Sequence, residues 1–179
     1  MTEQAANPAT PARAEIVRDF AKSELFERTF QDGMELVEDA ASYLDGSGRQ
    51  ESKLLSRNAA LVYAGESMRL TTRLMKLASW LLVQRAVREG DMQAIDACDP
   101  RYRLGEDEGR ISEDRPPAQQ DPLLIELPTG ILDLAVRSER LYERVRHLDR
   151  RMYIEPADGD QPHPIQSQMD RLRQAFGEA

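Results

Sequence analysis

The chain has very few of the residues from which catalytic and metal sites are usually built. Among 179 residues there is one cysteine, Cys98, and there are two histidines, His147 and His163. A single cysteine cannot close an intramolecular disulfide, which fits the reducing cytoplasm. No His-Glu-x-x-His, Glu-x-x-His, Cys-x-x-Cys or glycine-rich nucleotide-binding motif occurs. We therefore expect no enzyme, and neither a catalytic residue, a metal site nor a cofactor.

Long hydrophobic runs and excess positive charge are also missing. The longest apolar-to-small run covers residues 77–83, far short of the roughly 20 residues that a membrane-spanning helix needs. Lys and Arg number 24 against 32 Asp and Glu, giving a net charge of −8. An acidic chain is poorly suited to bind nucleic acid or anionic membranes non-specifically. We expect a cytoplasmic protein that binds neither.

Proline is absent between Pro11 and Pro100, which favours long helices over this part of the chain. The sequence predicts a first helix over about residues 16–44 and a second over about 52–89, with a tight turn at residues 45–48 between them. Gly90 is a stop signal, and residues 91–97 are a candidate continuation of the helix. Gly33 lies on the apolar face of the first helix, where it would permit close approach by a neighbouring helix. Glutamates cover the opposite face.

A third helix is predicted over about residues 130–152, with Thr129 as its N-cap. Its apolar positions recur at steps of three and four residues and form its predicted core stripe: Ile131, Leu134, Ser138, Leu141, Val145, Leu148 and Met152. The predicted core stripes of the bundle contain no carboxylate. The predicted fold is all-α, an antiparallel three-helix bundle over residues 15–152. Residues 1–14 are predicted to be disordered, residues 99–121 to form a flexible acidic linker, and residues 153–179 to form a flexible tail.

The second predicted helix is apolar on two opposite faces, so a single neighbour cannot cover both. One face, here called the Met stripe, consists of Leu61, Gly65, Met68, Thr72, Met75, Ser79, Leu82 and Ala86. The other, the Leu stripe, consists of Tyr63, Leu70, Leu74, Leu77 and Leu81. We interpret the Leu stripe either as a homodimer face or as a face that packs inside the chain. Both alternatives remain open at this point.

Two sets of cationic residues are candidate contact sites. Arg69, Arg73 and Lys76 share one edge of the second helix with Trp80, and Arg and Trp dominate the energetics of many interfaces. This row is either a binding site for an acidic partner or a solvated edge. On the third helix, His147 lies near an arginine row formed by Arg137, Arg140, Arg144 and Arg151. A histidine phosphotransfer protein using His147 and a nucleic-acid-binding regulator using the arginine rows are the rival functions.

The end of the chain carries a short amphipathic pattern. Four apolar residues recur there at steps of four, three and four: Ile165, Met169, Leu172 and Phe176. A helix this short is marginal in water without a surface to lie on. We interpret the segment as a docking peptide for a partner, with folding back onto the bundle as the alternative.

Two segments resemble the RcdA family, the regulators of CtrA degradation. They read ESMRLTTRLMKLASWLLVQRAV at residues 66–87 and SERLYERVRHLD at residues 138–149. The resemblance extends over most of the chain from the first helix through the third.

This resemblance implies a small non-enzymatic adaptor with a three-helix bundle, often a homodimer. Such adaptors help the ClpXP protease receive cell-cycle regulators such as CtrA. They act at the cell pole beside the response regulator CpdR and the cyclic-di-GMP effector PopA. The resemblance thus implies protein partners and a tethering function, in which proximity rather than new chemistry raises the rate.

Overall fold

The computed structural model describes residues 11–104 and 126–153, and every regular element within them is helical. This confirms the all-α prediction for that part of the chain. The helices are α1 (Pro11–Lys22), α2 (Glu24–Asp45), α3 (Ser47–Glu51), α4 (Arg57–Glu89) and α5 (Thr129–Tyr153). Three short 3₁₀ turns connect them, at Ser52–Leu54, Asp96–Cys98 and Pro100–Tyr102.

The predicted first helix is in fact two helices, because Ser23 separates α1 from α2. The Ser23 hydroxyl accepts a hydrogen bond from the Phe26 amide at 3.1 Å and donates one to the Phe20 carbonyl at 2.6 Å. One side chain thereby closes α1 and caps α2. The helical chain also begins at Pro11, inside the segment that we expected to be disordered, because Ala14 is buried against the core.

The connection between α2 and α4 is longer than the predicted tight turn. It contains Gly46, the short α3 and a 3₁₀ turn, and α4 begins at Arg57 with the Ser56 hydroxyl accepting from the Ala59 amide at 3.2 Å. At the other end, Gly90 has φ 85° and ends the helix. The expected continuation over residues 91–97 is therefore wrong: a left-handed residue turns the chain away from the helix axis.

Side-chain contacts between the long helices give their relative directions. Arg144 and Arg137 of α5 pair with Asp32 and Asp39 of α2, both at 2.7 Å, so these two helices are antiparallel. Between α4 and α5 the partners rise together along the chain: Arg73 with Ser138, Trp80 with Asp149 and Gln84 with Tyr153. The antiparallel prediction is therefore wrong for this pair, since α4 and α5 run parallel.

The helix α1 packs against the core as a fourth helix, which the three-helix prediction did not include. Val17 and Ala21 are fully buried, and the Phe20 ring lies 5.8 Å from the Phe26 ring and 5.8 Å from the Trp80 ring, centroid to centroid. Packing of α1 thus joins the start of α2 to the middle of α4.

Gly33 allows the close approach that its position on α2 suggested. A Cβ atom at this position would overlap Leu81 Cδ1 and would lie 3.8 Å from Leu141 Cδ2. The backbone of α2 therefore lies against side chains of both α4 and α5. All three long helices meet at this residue.

Several predicted segments lie wholly or partly outside the described residues. These are the amino terminus before Pro11, most of the linker and the tail after Tyr153. The first part of the predicted linker is described, and it is packed rather than flexible, because Leu104 is 4% exposed. At the far end, Glu126 accepts a hydrogen bond from the Ser56 hydroxyl at 2.8 Å.

Candidate protein interface

The two apolar stripes of α4 have opposite environments. Every residue of the Leu stripe is buried, with Leu70 and Leu81 fully enclosed and Tyr63 the most exposed at 8%. This is the packing alternative, and it removes the homodimer interpretation of the Leu stripe. The Leu stripe faces the core because its large side chains fill the space between α4 and the helices α1, α2 and α5.

The Met stripe lies on the surface. Its four large side chains are mostly exposed: Leu61 69%, Met68 72%, Met75 65% and Leu82 51%. They follow each other at intervals of seven residues, which places them in one row about 32 Å long. Smaller residues lie between them, namely Gly65, Thr72 and Ser79, and Ala86 follows Leu82. No described part of the chain covers this face.

Such a row has the pattern of a helix–helix contact. Large apolar residues every seven positions with small residues between them form a seam in which a second helix can approach closely. A row of apolar side chains of this length on a solvent-exposed surface is typical of an interaction site, whereas isolated exposed apolar residues are common on protein surfaces. Among the described residues, four other large apolar side chains are exposed, and all lie outside α4: Leu25, Leu54, Ile95 and Val136.

The structure divides the expected cationic contact row. Trp80 is 1% exposed, so it is a core residue and does not present a surface to a partner. Arg73 donates to the Ser138 hydroxyl at 3.0 Å, and Arg69 forms an ion pair with Glu66 one turn earlier. Arg69, Arg73 and Lys76 are all partly exposed. They lie along the edge of α4 between the Met stripe and α5.

Trp80 can be buried because the Asp149 carboxylate accepts a hydrogen bond from its indole N–H. The Trp80 Nε1–Asp149 Oδ1 distance is 2.9 Å, and the Leu104 amide donates to the same oxygen at 3.2 Å. Arg103 lies 3.4 Å from the other oxygen. Asp149 is 3% exposed, so the core holds a carboxylate that lies outside the predicted stripes. Its helical spacing from Val145 and Met152, four and three residues, was the available signal.

Three of the four arginines in the predicted row of α5 lie beside acidic residues of α2, and Arg151 is exposed. Arg137, Arg140 and Arg144 line a groove of about 270 Å³ together with Asp32 and Glu35. The hydrogen bond from Arg137 to Asp39 raises the pKa of that guanidinium. These pairs hold α2 to α5 across the surface and reduce the positive field that nucleic acid would require.

His147 and the lone cysteine have contrasting environments. His147 is exposed on α5. Cys98 is buried, its thiol donates to the Ala94 carbonyl at 3.3 Å, and burial raises its pKa. A thiol in that state reacts slowly.

Residues 11–104 and 126–153 contain neither a metal site nor a membrane-spanning helix. No group of three or more His, Cys, Asp or Glu residues is arranged there to hold a metal ion. None of the described helices has the length and apolarity needed to cross a membrane.

Comparisons with known proteins agree with the sequence resemblance. Residues 17–176 match a family described as "Protein of unknown function (DUF1465)". No curated protein matches the chain. Among solved structures, the crystal structure of RcdA from Caulobacter crescentus CB15 is 60% identical, with a TM-score of 0.60, and the match covers 77% of this chain and 98% of that one. On this identity and coverage, the chain belongs to the RcdA family.

Proposed function

We propose that this chain is a non-enzymatic adaptor that holds protein cargo beside the ClpXP protease. CtrA is the proposed cargo, CpdR and PopA are the proposed accessory partners, and the cell pole is the proposed place of action. Membership of the RcdA family supports this proposal. In such a function the protein supplies proximity, which raises the encounter rate of cargo and protease without chemistry of its own.

The exposed Met stripe is the observation that carries the proposal. An adaptor needs a surface that recognises other proteins, and the four large residues of this stripe present a row of exposed apolar side chains. Methionine suits such a surface, because its flexible thioether side chain can pack against differently shaped partners. We assign the Met stripe to protein contact, including contact with a second copy of the chain in a homodimer.

The partly exposed cations beside the stripe fit the same assignment. Arg69, Arg73 and Lys76 border the apolar face on its α5 side, as a polar rim borders the core of an interface. They would favour acidic segments of a partner and would raise association rates more than final affinity.

The proposal is tested by reconstituted degradation of CtrA with ClpXP, CpdR and PopA. Met75→Glu should abolish the stimulation that wild-type adaptor gives, because it places a charge at the centre of the Met stripe. Val136→Glu is the matched control, since Val136 is an exposed apolar residue on α5, and it should stimulate normally. Equal stimulation by wild type and Met75→Glu would remove the stripe from the function, and no stimulation by wild type would reject the adaptor proposal.

A further inference from the structure

We propose that the chain's own carboxyl-terminal segment, residues 165–176, binds the Met stripe of α4 in the absence of a partner. The stripe and the segment have the same repeat. Leu61, Met68, Met75 and Leu82 recur every seven residues, and so do the pairs Ile165 and Leu172, and Met169 and Phe176. Two helical faces with a shared seven-residue repeat can interleave their side chains along a common line.

The point at which the described chain ends places the segment within reach. Tyr153, the last residue of α5, accepts a hydrogen bond from Gln84 at 2.9 Å. The tail therefore departs level with the carboxyl-terminal part of α4, two positions from Leu82. Eleven residues, 154–164, separate Tyr153 from Ile165. Extended, they span about 36–40 Å, whereas half the circumference of a helix of 10–12 Å diameter is about 17 Å.

The segment is long enough to cover about half of the Met stripe. As a helix, residues 165–176 would extend about 17 Å. Running back along α4 from Leu82, that length covers Met75 and approaches Met68, which are about 10 and 21 Å away along the helix. Leu61, at about 32 Å, stays uncovered. The proposal thus assigns the segment to the Leu82–Met68 part of the stripe, in the direction opposite to α4.

Tethering favours the chain's own segment over a free partner. A short flexible connection gives an effective concentration in the millimolar range, so even a weak apolar contact is populated within one chain. The segment would leave the stripe when a partner with more contacts arrives. This consequence rests on the proposed function, whereas binding of the segment to α4 does not.

Methionine methyl signals provide a direct test in the whole chain, recorded at a concentration at which sedimentation velocity shows a monomer, because a second copy would occupy the same stripe. The chain has seven methionines, and Met68 and Met75 report on the stripe. A nitroxide attached through Ala179→Cys should broaden the Met68 and Met75 signals and leave that of Met92, beyond the other end of α4, nearly unchanged. The buried Cys98 thiol, with its raised pKa, should not compete for the label.

Two further variants and one mixture separate the outcomes. Leu172→Glu should remove the broadening, and Gln174→Glu, two positions further and on the opposite face, should keep it. A mixture of nitroxide-bearing protein without ¹³C and unlabelled-tail protein with ¹³C-methionine should show no broadening. Broadening in that mixture would assign the contact to a second copy, and absence of broadening in every sample would show that the stripe is free. Either result overturns the proposal and leaves the degradation test of the adaptor function intact.

Discussion

At the residue scale, the least expected feature is the buried carboxylate of Asp149. It accepts hydrogen bonds from the Trp80 indole N–H at 2.9 Å and from the Leu104 backbone N–H at 3.2 Å. Asp149 thus connects α5 to α4 and to the chain that follows α4. The sequence placed Trp80 on the surface beside three cations. It could not reveal the burial, since the preference of an indole for the core or an interface depends on whether its N–H finds an acceptor.

Trp80→Phe should destabilise the fold by about 1–3 kcal/mol, because it leaves a buried carboxylate with one fewer donor. Chemical denaturation should measure the loss. In a double-mutant cycle with Asp149→Ala, which removes the acceptor, the two effects should be non-additive, since the residues share one hydrogen bond. Additive effects would mean that the contact contributes little beyond the volume of the indole.

Substitution by alanine should change stability in opposite directions at Gly33 and Gly65, because only Gly33 is closely packed against a neighbouring helix. At Gly33 a Cβ would overlap the fully buried Leu81, and overpacking costs about 1–3 kcal/mol, more than the helix propensity returns. At Gly65 the nearest atoms would be the Arg69 guanidinium nitrogens at 3.9 Å. Gly65→Ala should therefore stabilise the protein by about 1 kcal/mol. Thermal melts check both signs, and a gain at Gly33 would contradict the packing described here.

At the scale of the element, the sequence predicted the two faces of α4 correctly but assigned them incompletely. Periodicity shows that Leu74 and Met75 lie on different faces, and it does not say which face the bundle covers. The composition of the stripes held the missing signal, because one has large residues at nearly every position and the other alternates large with small. Because protein cores are densely packed, the stripe with large residues at nearly every position is the one that faces the core.

Neighbouring residues 74 and 75 test the assignment of the two faces. Leu74→Glu buries a charge in the core, where Leu74 is 6% exposed, and it should unfold the protein or cost more than about 3 kcal/mol. Met75→Glu, at 65% exposure, should change the unfolding free energy by less than about 0.5 kcal/mol. Urea titration followed by circular dichroism distinguishes them. Similar losses for both variants would place Met75 in the core as well.

Helix boundaries show how far local signals reach. Gly90 ends α4 where the sequence predicted, whereas α4 starts at Arg57 after its N-cap Ser56, later than the predicted start at about residue 52. The break at Ser23 was missed although a local signal was present, because Ser23 is a favourable N-cap residue and Glu24 and Glu27 follow it in the first turn of α2. The prediction gave more weight to the absence of proline between Pro11 and Pro100.

At the scale of the whole molecule, the parallel arrangement of α4 and α5 was the main topological surprise. Short loops produce antiparallel neighbours, and the prediction extended that rule across the long segment that precedes α5. The contacts of Ser56 with Glu126 and of Leu104 with Asp149 show that this segment begins and ends at opposite ends of the α4–α5 pair.

Self-association should depend on the Met stripe. We expect the wild type to dimerise through this stripe. Met68→Glu with Met75→Glu should remain a folded monomer at the same concentrations, because two like charges per chain would meet across a shared apolar seam. Sedimentation velocity over a concentration series measures the change, and removal of residues 154–179 should shift dimer formation to lower concentration. Identical sedimentation of wild type and double variant would assign dimerisation to another surface.

The central claim is that the exposed face of α4 contacts protein partners, and site-specific photo-crosslinking tests it most directly. A photoreactive residue at position 75 of the whole chain, in the presence of purified CtrA, ClpXP, CpdR and PopA, should give adducts with CtrA or with a second copy of the chain. The same residue at position 136 should give background. Adducts at position 136 with none at position 75 would contradict the account.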